Sequence, residues 1–218
     1  MTSTVAAAVL LDMDGTLVDS TAIVERVWVD WSLAHGVDPA RTLATIHGRQ
    51  GHDSMALLLP GRPHEENIAE NRSLLARETT ELDGVVEIAG AGVLLSQLTD
   101  LPHALVTSAT RELAAARMGA AGLRMPRVAV TAEDATAGKP DPEGFLIAAR
   151  RLQVPPAACV VVEDSANGIA AGLAAGMSVI GVGPRAADHH PTWTVDSVAD
   201  IQAVGAGAEI LLTLDLSY

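Results

Sequence analysis

The chain has one cysteine, Cys159, one lysine, Lys139, and few aromatics: one tyrosine, one phenylalanine and three tryptophans among 218 residues. A single cysteine excludes an internal disulfide and fits a reducing compartment, so a cytoplasmic location is expected. With aromatics at 2%, the core must be built from Ala, Val, Leu and Ile. No stretch approaches the ~20 apolar residues that a membrane span needs. Residues 1–11 lack the basic opening of a signal peptide. Basic residues are outnumbered 27 to 14 by acidic ones, for a formal net charge of -13. Nucleic acid and anionic membranes are therefore excluded as expected partners, because both are bound by clustered Lys and Arg. An acidic protein that binds phosphate esters needs a local positive centre, such as a metal ion.

What is present is apolar enough to fold. The chain is 49% hydrophobic with a mean hydropathy of +0.28, which suits one large domain or one domain with a smaller insertion. Residues 8–11 are an apolar run closed by Asp12, with Gly15 behind it, the pattern of a buried strand ending in a turn. From about residue 20 the period becomes helical. Val24, Val27, Trp28 and Trp31 fall on one face, and further helices are predicted over 42–47, 53–59 and 65–81, separated by glycines and prolines. This part shows no convincing strand.

Beyond Asp83-Gly84 the chain alternates. Helices are predicted over 88–98, 110–118, 142–152 and 166–175, and strands over 104–107, 128–131, 159–162 and 178–182. Residues 209–214 would add an edge strand. Such alternation predicts an α/β fold, a Rossmann-like parallel sheet with helices on both faces. The expected division is a core of residues 1–16 and 83–218 with a small helical cap over 17–82. Ligands of open parallel sheets bind beyond the carboxyl ends of the strands. Asp12, Thr107 and Glu163-Asp164 all fall there.

Two carboxylates two residues apart, Asp12 and Asp14, can supply a nucleophile and a proton donor and acceptor. Bare carboxylates repel a phosphate dianion, so a divalent cation is required. Magnesium takes one or two carboxylates together with phosphate and water. Asp164 can supply a second carboxylate, with Glu163 supporting from behind. Thr107 and Ser108 offer donors to phosphate oxygens, and Thr110 can cap the helix that follows. Lys139 is a compact point charge in a chain whose other thirteen basic residues are arginines, and Pro140 restricts its backbone.

Four segments in this order resemble the motifs of the haloacid dehalogenase-like superfamily: Asp12-Met13-Asp14-Gly15-Thr16-Leu17-Val18-Asp19-Ser20, Val106-Thr107-Ser108, Gly138-Lys139-Pro140-Asp141-Pro142 and Val162-Glu163-Asp164-Ser165-Ala166-Asn167-Gly168. The resemblance implies Asp12 as nucleophile and Asp14 as general acid and base. It implies Thr107 and Lys139 on the phosphate. It also implies magnesium on Asp12, the backbone carbonyl of Asp14, and Asp164. Within the cap, Val24-Glu25-Arg26-Val27-Trp28 and Ile46-His47-Gly48-Arg49-Gln50 look like the sugar-phosphate, hexitol-phosphate and glycerol-phosphate phosphatases of the superfamily. His47 and Arg49 are thereby candidate substrate contacts. Trp28 and Trp31 are expected to pack within the cap, His189 and His190 to face solvent, and Cys159 to lie in the core.

The expected activity is magnesium-dependent hydrolysis of a small sugar, polyol or glycerol phosphate through an aspartyl-phosphate, by a monomer or weak homo-oligomer. Two alternatives stand beside it: a phosphosugar mutase of the β-phosphoglucomutase type, and a catalytically silent binding protein of the same fold. A mutase of that branch would carry a cap lysine and a histidine where Val24 stands. A silent protein would lack part of the acid, phosphate and metal set.

Overall fold

The computed structural model describes residues 1–46 and 49–216. Its main sheet has six parallel strands in the spatial order β6 (Val128–Val130), β5 (His103–Val106), β2 (Ala8–Leu11), β7 (Cys159–Glu163), β8 (Ser178–Val182) and β9 (Trp193–Val195). Parallel neighbours need crossovers. Helix α6 (Arg111–Ala120) joins β5 to β6, α7 (Glu143–Leu152) joins β6 to β7, and α8 (Ala166–Ala174) joins β7 to β8.

Apolar residues line both faces of the sheet, as a sheet covered on both sides demands. Ala8, Leu10, Val106 and Val161 pack against Phe145 and Ile147 of α7 and Ile169 of α8. Val9, Leu11, Leu105 and Val162 face the other way, toward Leu94 of α5 (Ala91–Gln97) and Leu113 and Met118 of α6. The chain enters the sheet at β2, builds β5 and β6 on one side, then returns to build β7, β8 and β9 on the other. The order therefore switches direction at β2, where a crevice opens beyond the strand ends.

Between β3 (Val18–Asp19) and its antiparallel partner β4 (Val86–Glu87) the chain forms four helices: α1 (Thr21–His35), α2 (Pro39–Ile46), α3 (Gly51–Leu58) and α4 (His64–Thr80). Trp28 and Trp31 are buried there, edge to face with ring centroids 5.4 Å apart, so the pair is packing. Cys159 is buried at the start of β7, and burial pushes its thiol up to about 11. His189 and His190 are exposed. Among the described residues no helix is long and apolar enough to cross a membrane.

One predicted strand sits elsewhere than expected. Residues Glu209–Leu214 form β11, which does not extend the edge of the main sheet. It is the middle strand of a separate antiparallel sheet, between β1 (Thr2–Ala6) and β10 (Ile201–Ala206). The reason lies in its pattern: Ile210, Leu212 and Leu214 are buried, whereas Glu209 and Leu211 are exposed. Such alternation suits an antiparallel sheet with one wet face, not a strand covered on both sides.

Candidate active site

Beyond the end of β2 the backbone N–H of Asp12 still bonds to Val162 O (3.0 Å), and beyond β5 that of Thr107 bonds to Val130 O (3.0 Å). Both residues are thereby held rigidly at the rim of the sheet. The chain then curls around the Met13 carbonyl, which accepts from Thr16, Leu17 and Val18 at 3.3, 2.8 and 2.9 Å. Gly15 makes the curl possible with φ +88. A Cβ there would lie 2.2 Å from Asp164 Oδ2, so glycine is what lets Asp164 stand beside the loop. Thr16 Oγ1 donates to the other oxygen of Asp164 at 3.2 Å. Carboxylate oxygens of Asp12, Glu163 and Asp164 all lie within 4.8 Å of one another. Gly15→Ala is expected to displace Asp164, raising at least tenfold the divalent-cation concentration needed to half-fill a site made by these carboxylates. A calorimetric titration with magnesium checks this, and an unchanged midpoint would count against the crowding at Gly15.

Lys139 reaches this cluster from the loop before α7. Its Nζ donates to Asp12 Oδ1 and, at 2.7 Å, to Glu163 Oε1, and lies 5.3 Å from the centroid of the Phe145 ring. The loop is tied down by Glu143, whose Oε2 accepts from the Thr136 N–H, the Thr136 hydroxyl and the Ala137 N–H, each at 2.8 Å. It passes through a cis Lys139–Pro140 peptide bond. Glu163 is equally constrained. Its Oε2 accepts from Ser165 N–H at 2.6 Å, and a Cβ on Gly168 would lie 1.7 Å from its Oε1.

The electrostatics follow from three carboxylates sharing one ammonium. Burial pushes the Asp12 carboxyl well above its ordinary range, with Glu163 and Asp164 adding to the effect and Lys139 opposing it. Burial and the Glu163 charge push Asp164 up to about 7, against Lys139 and the Thr16 hydroxyl. Burial works against the charge on Lys139, but Asp12 and Glu163 outweigh it and hold the ammonium firmly protonated. An all-oxygen donor set, close together and short of positive charge, fits a hard divalent cation.

Asp14 faces a different set of partners. Its Oδ1 accepts from Ser20 Oγ at 2.7 Å and from Arg117 Nη1 at 2.8 Å. Arg117, on α6, donates through Nη2 to Glu78 Oε2 of α4 at 2.5 Å, and both side chains are buried. Burial pushes Glu78 up to about 6, although the guanidinium pulls the other way. Arg117 and Glu78 lie outside the four motifs. A signal was there: Arg117 falls between Leu113, Ala114 and Met118 on the buried stripe of α6, and Glu78 four residues after the buried Leu74 of α4. A charged residue in an apolar stripe needs a buried counter-charge.

Thr107, Ser108, Gly138, Lys139 and Phe145 line a cleft together with Gln50, from the segment between α2 and α3. Thr107 Oγ1 accepts from Ala109 N–H at 3.1 Å, and Thr110 caps α6 by accepting from Leu113 N–H at 3.2 Å. A Cβ on Gly138 would lie 2.7 Å from Gln50 Nε2, so that glycine is what allows Gln50 its close approach. Arg49 is exposed and not among the residues lining this cleft, whereas His47 lies outside the described residues.

Fold and site together set carboxylates and one ammonium at the ends of parallel strands, an arrangement that can support hydrolysis of an ester. The family model described as haloacid dehalogenase-like hydrolase matches residues 6–176, and the chain belongs to that family. It is similar to hexitol phosphatase A of Escherichia coli (strain K12), with 45% identity over 79% of this chain and 81% of that protein. It is also similar to glycerol-1-phosphate phosphohydrolase 2 of Saccharomyces cerevisiae, with 32% identity over 80% of this chain and 74% of that protein. Among solved structures, a putative β-phosphoglucomutase from Bacteroides vulgatus superposes with a TM-score of 0.75 at 27% identity, covering 88% of this chain and 84% of that one.

Proposed function

We propose that the chain hydrolyses a small sugar, polyol or glycerol phosphate through an aspartyl-phosphate on Asp12, with magnesium as its cation. The observation that carries this reading is the meeting of Asp12 with Glu163, Asp164 and Lys139 at the ends of β2 and β7. The chain is a phosphatase of its family, and the activities named for its relatives support the substrate class.

In this mechanism an Asp12 oxygen attacks phosphorus, and the bond to the leaving oxygen breaks as Asp14 delivers a proton to it. Asp14 then takes a proton from the water that attacks the aspartyl-phosphate, which frees phosphate and restores Asp12. Lys139, Thr107 and Ser108 hold the phosphoryl oxygens. Asp12, Asp164 and the backbone carbonyl of Asp14 would hold magnesium, with Glu163 supporting from behind, and the bound ion would offset charge on the phosphoryl group. Residues 17–82 act as a cap that excludes bulk water and selects the leaving group; Gln50, and His47 and Arg49 beside it, are the candidate contacts. A cytoplasmic monomer or weak homo-oligomer completes the reading. Water is the acceptor rather than a second sugar hydroxyl, because the only lysine belongs to the core site and Val24 stands in the cap.

The test is phosphate release from a panel of sugar, polyol and glycerol phosphates, with magnesium and with a chelator. Cleavage of at least one aliphatic ester, lost on chelation, is expected. Interconversion of hexose 1- and 6-phosphates without phosphate release would overturn the hydrolytic reading. Failure to turn over any ester, p-nitrophenyl phosphate included, would favour a silent binding protein.

A further inference from the structure

The buried guanidinium of Arg117 has no part in the mechanism above, yet it touches Asp14. We propose that Arg117 is a positioning residue that sets the orientation of Asp14 for proton transfer and ties that orientation to helix α4 through Glu78. This rests on the reading of Asp14 as general acid and base.

Three observations carry the argument. First, among the described residues Asp14 is anchored through one oxygen: both the Ser20 hydroxyl and Arg117 Nη1 donate to Oδ1. Oδ2 is thereby left to give a proton to the leaving oxygen and take one from water. A carboxyl group moves protons efficiently only when held within hydrogen-bond reach of the reacting atom, and a fixed Oδ1 achieves that for Oδ2. Second, the guanidinium is shared. Nη1 serves Asp14 and Nη2 serves Glu78, a fork that one ammonium on a flexible stem would not reproduce. Third, the chain of contacts crosses from one part of the molecule to the other. Asp14 follows β2, Arg117 lies on α6 and Glu78 lies near the end of α4, which packs on α6. With side-chain exposures of 5% for Arg117 and 6% for Glu78, neither can trade this contact for water. Where α4 sits against α6 therefore fixes where Arg117 can hold Asp14.

Leaving-group dependence separates positioning from structural support. An aliphatic alkoxide needs a proton as it departs, whereas p-nitrophenolate does not. Formation of the aspartyl-phosphate, which governs kcat/KM, should depend on a well-placed Asp14 for the first ester and hardly at all for the second. Wild type, D14N and R117A would be compared on sorbitol 6-phosphate and p-nitrophenyl phosphate. For R117A, kcat/KM on sorbitol 6-phosphate is expected to fall at least tenfold, while that on p-nitrophenyl phosphate stays within threefold. Because R117A leaves Glu78 buried without a counter-charge, the double variant E78M/R117M, which fills the space with apolar atoms, is the folded alternative. It should show the same selective loss. R117K should not restore the aliphatic rate.

D14N sets the reference. If D14N slows both esters alike, the acid role of Asp14 fails and takes the proposal with it. If D14N discriminates between the esters while folded R117A or E78M/R117M loses both equally, or neither, the acid role stands and the proposal for Arg117 falls.

Discussion

Asp12→Asn is expected to lose turnover by a factor on the order of 10⁴ or more, the scale seen when a nucleophile is removed from a catalytic unit, while the protein remains folded. Asparagine has the same shape, and its backbone N–H can keep the bond to Val162 O. Its amide oxygen is a far weaker nucleophile and cannot form the aspartyl-phosphate. Folding should tolerate the change for two reasons. Lys139 retains Glu163 as a partner, and a carboxyl already disfavoured as an anion by burial gives up little on becoming neutral. The measurements are kcat on the best ester of the panel and a thermal melt. Turnover within tenfold of wild type, with an unshifted melt, would remove Asp12 from the reaction.

Lys139→Met should be nearly as damaging to activity and more damaging to stability. The variant deletes the positive charge that Asp12 and Glu163 share and leaves three carboxylates together. Breaking a buried ion pair by removing one partner costs about 3–5 kcal/mol. Loss of a preorganised charge on the transferring group costs on the order of 10²–10³ in rate. Lys139→Arg should rescue neither. The side chain is only 8% exposed between Phe145, Asp12 and Glu163, and a planar guanidinium does not present the one compact donor that the ammonium shares between the two carboxylates. Melts of the two variants beside kcat/KM separate the effects. A lysine variant with wild-type stability and at least a tenth of the activity would show the ammonium to be dispensable.

The parallel sheet was legible because its strands are short apolar runs, each closed by a turn signal. Residues 8–11 and 178–182 are bounded as expected, and the helix over Glu143–Leu152 begins one residue inside its predicted limit. The antiparallel strands were harder. Thr2–Ala6 is dominated by small polar residues, and Ile201–Ala206 ends in exposed small ones, so neither shows the periodicity that makes a strand visible. Glu209–Leu214 has one local partner, Ile201–Ala206, and one nearly the whole chain away, Thr2–Ala6; its alternation suits an antiparallel sheet but does not name that distant strand. The same division holds at the site. Asp12, Thr107, Glu163 and Asp164 are candidates because strand ends converge in a parallel fold, Asp14 because it stands two residues from Asp12, and Lys139 because it is the one lysine, set before Pro140. Arg117 and Glu78 are harder to read because a buried pair is defined by two helices meeting: the apolar stripe around Arg117 marks a charge that needs a partner without saying which.

The single lysine also gives the protein an unusual chemical simplicity. Besides the amino terminus, the chain carries one primary amine, and it lines the cleft shared with Thr107, Ser108 and Gln50. Acylating reagents therefore have two addresses whose fates differ sharply: an exposed one that modifies freely, and an occluded one that reacts only when the crevice opens and its carboxylates let go. Mass spectrometry of such labelling, with and without a bound anion, would follow the breathing of the active centre with almost no background.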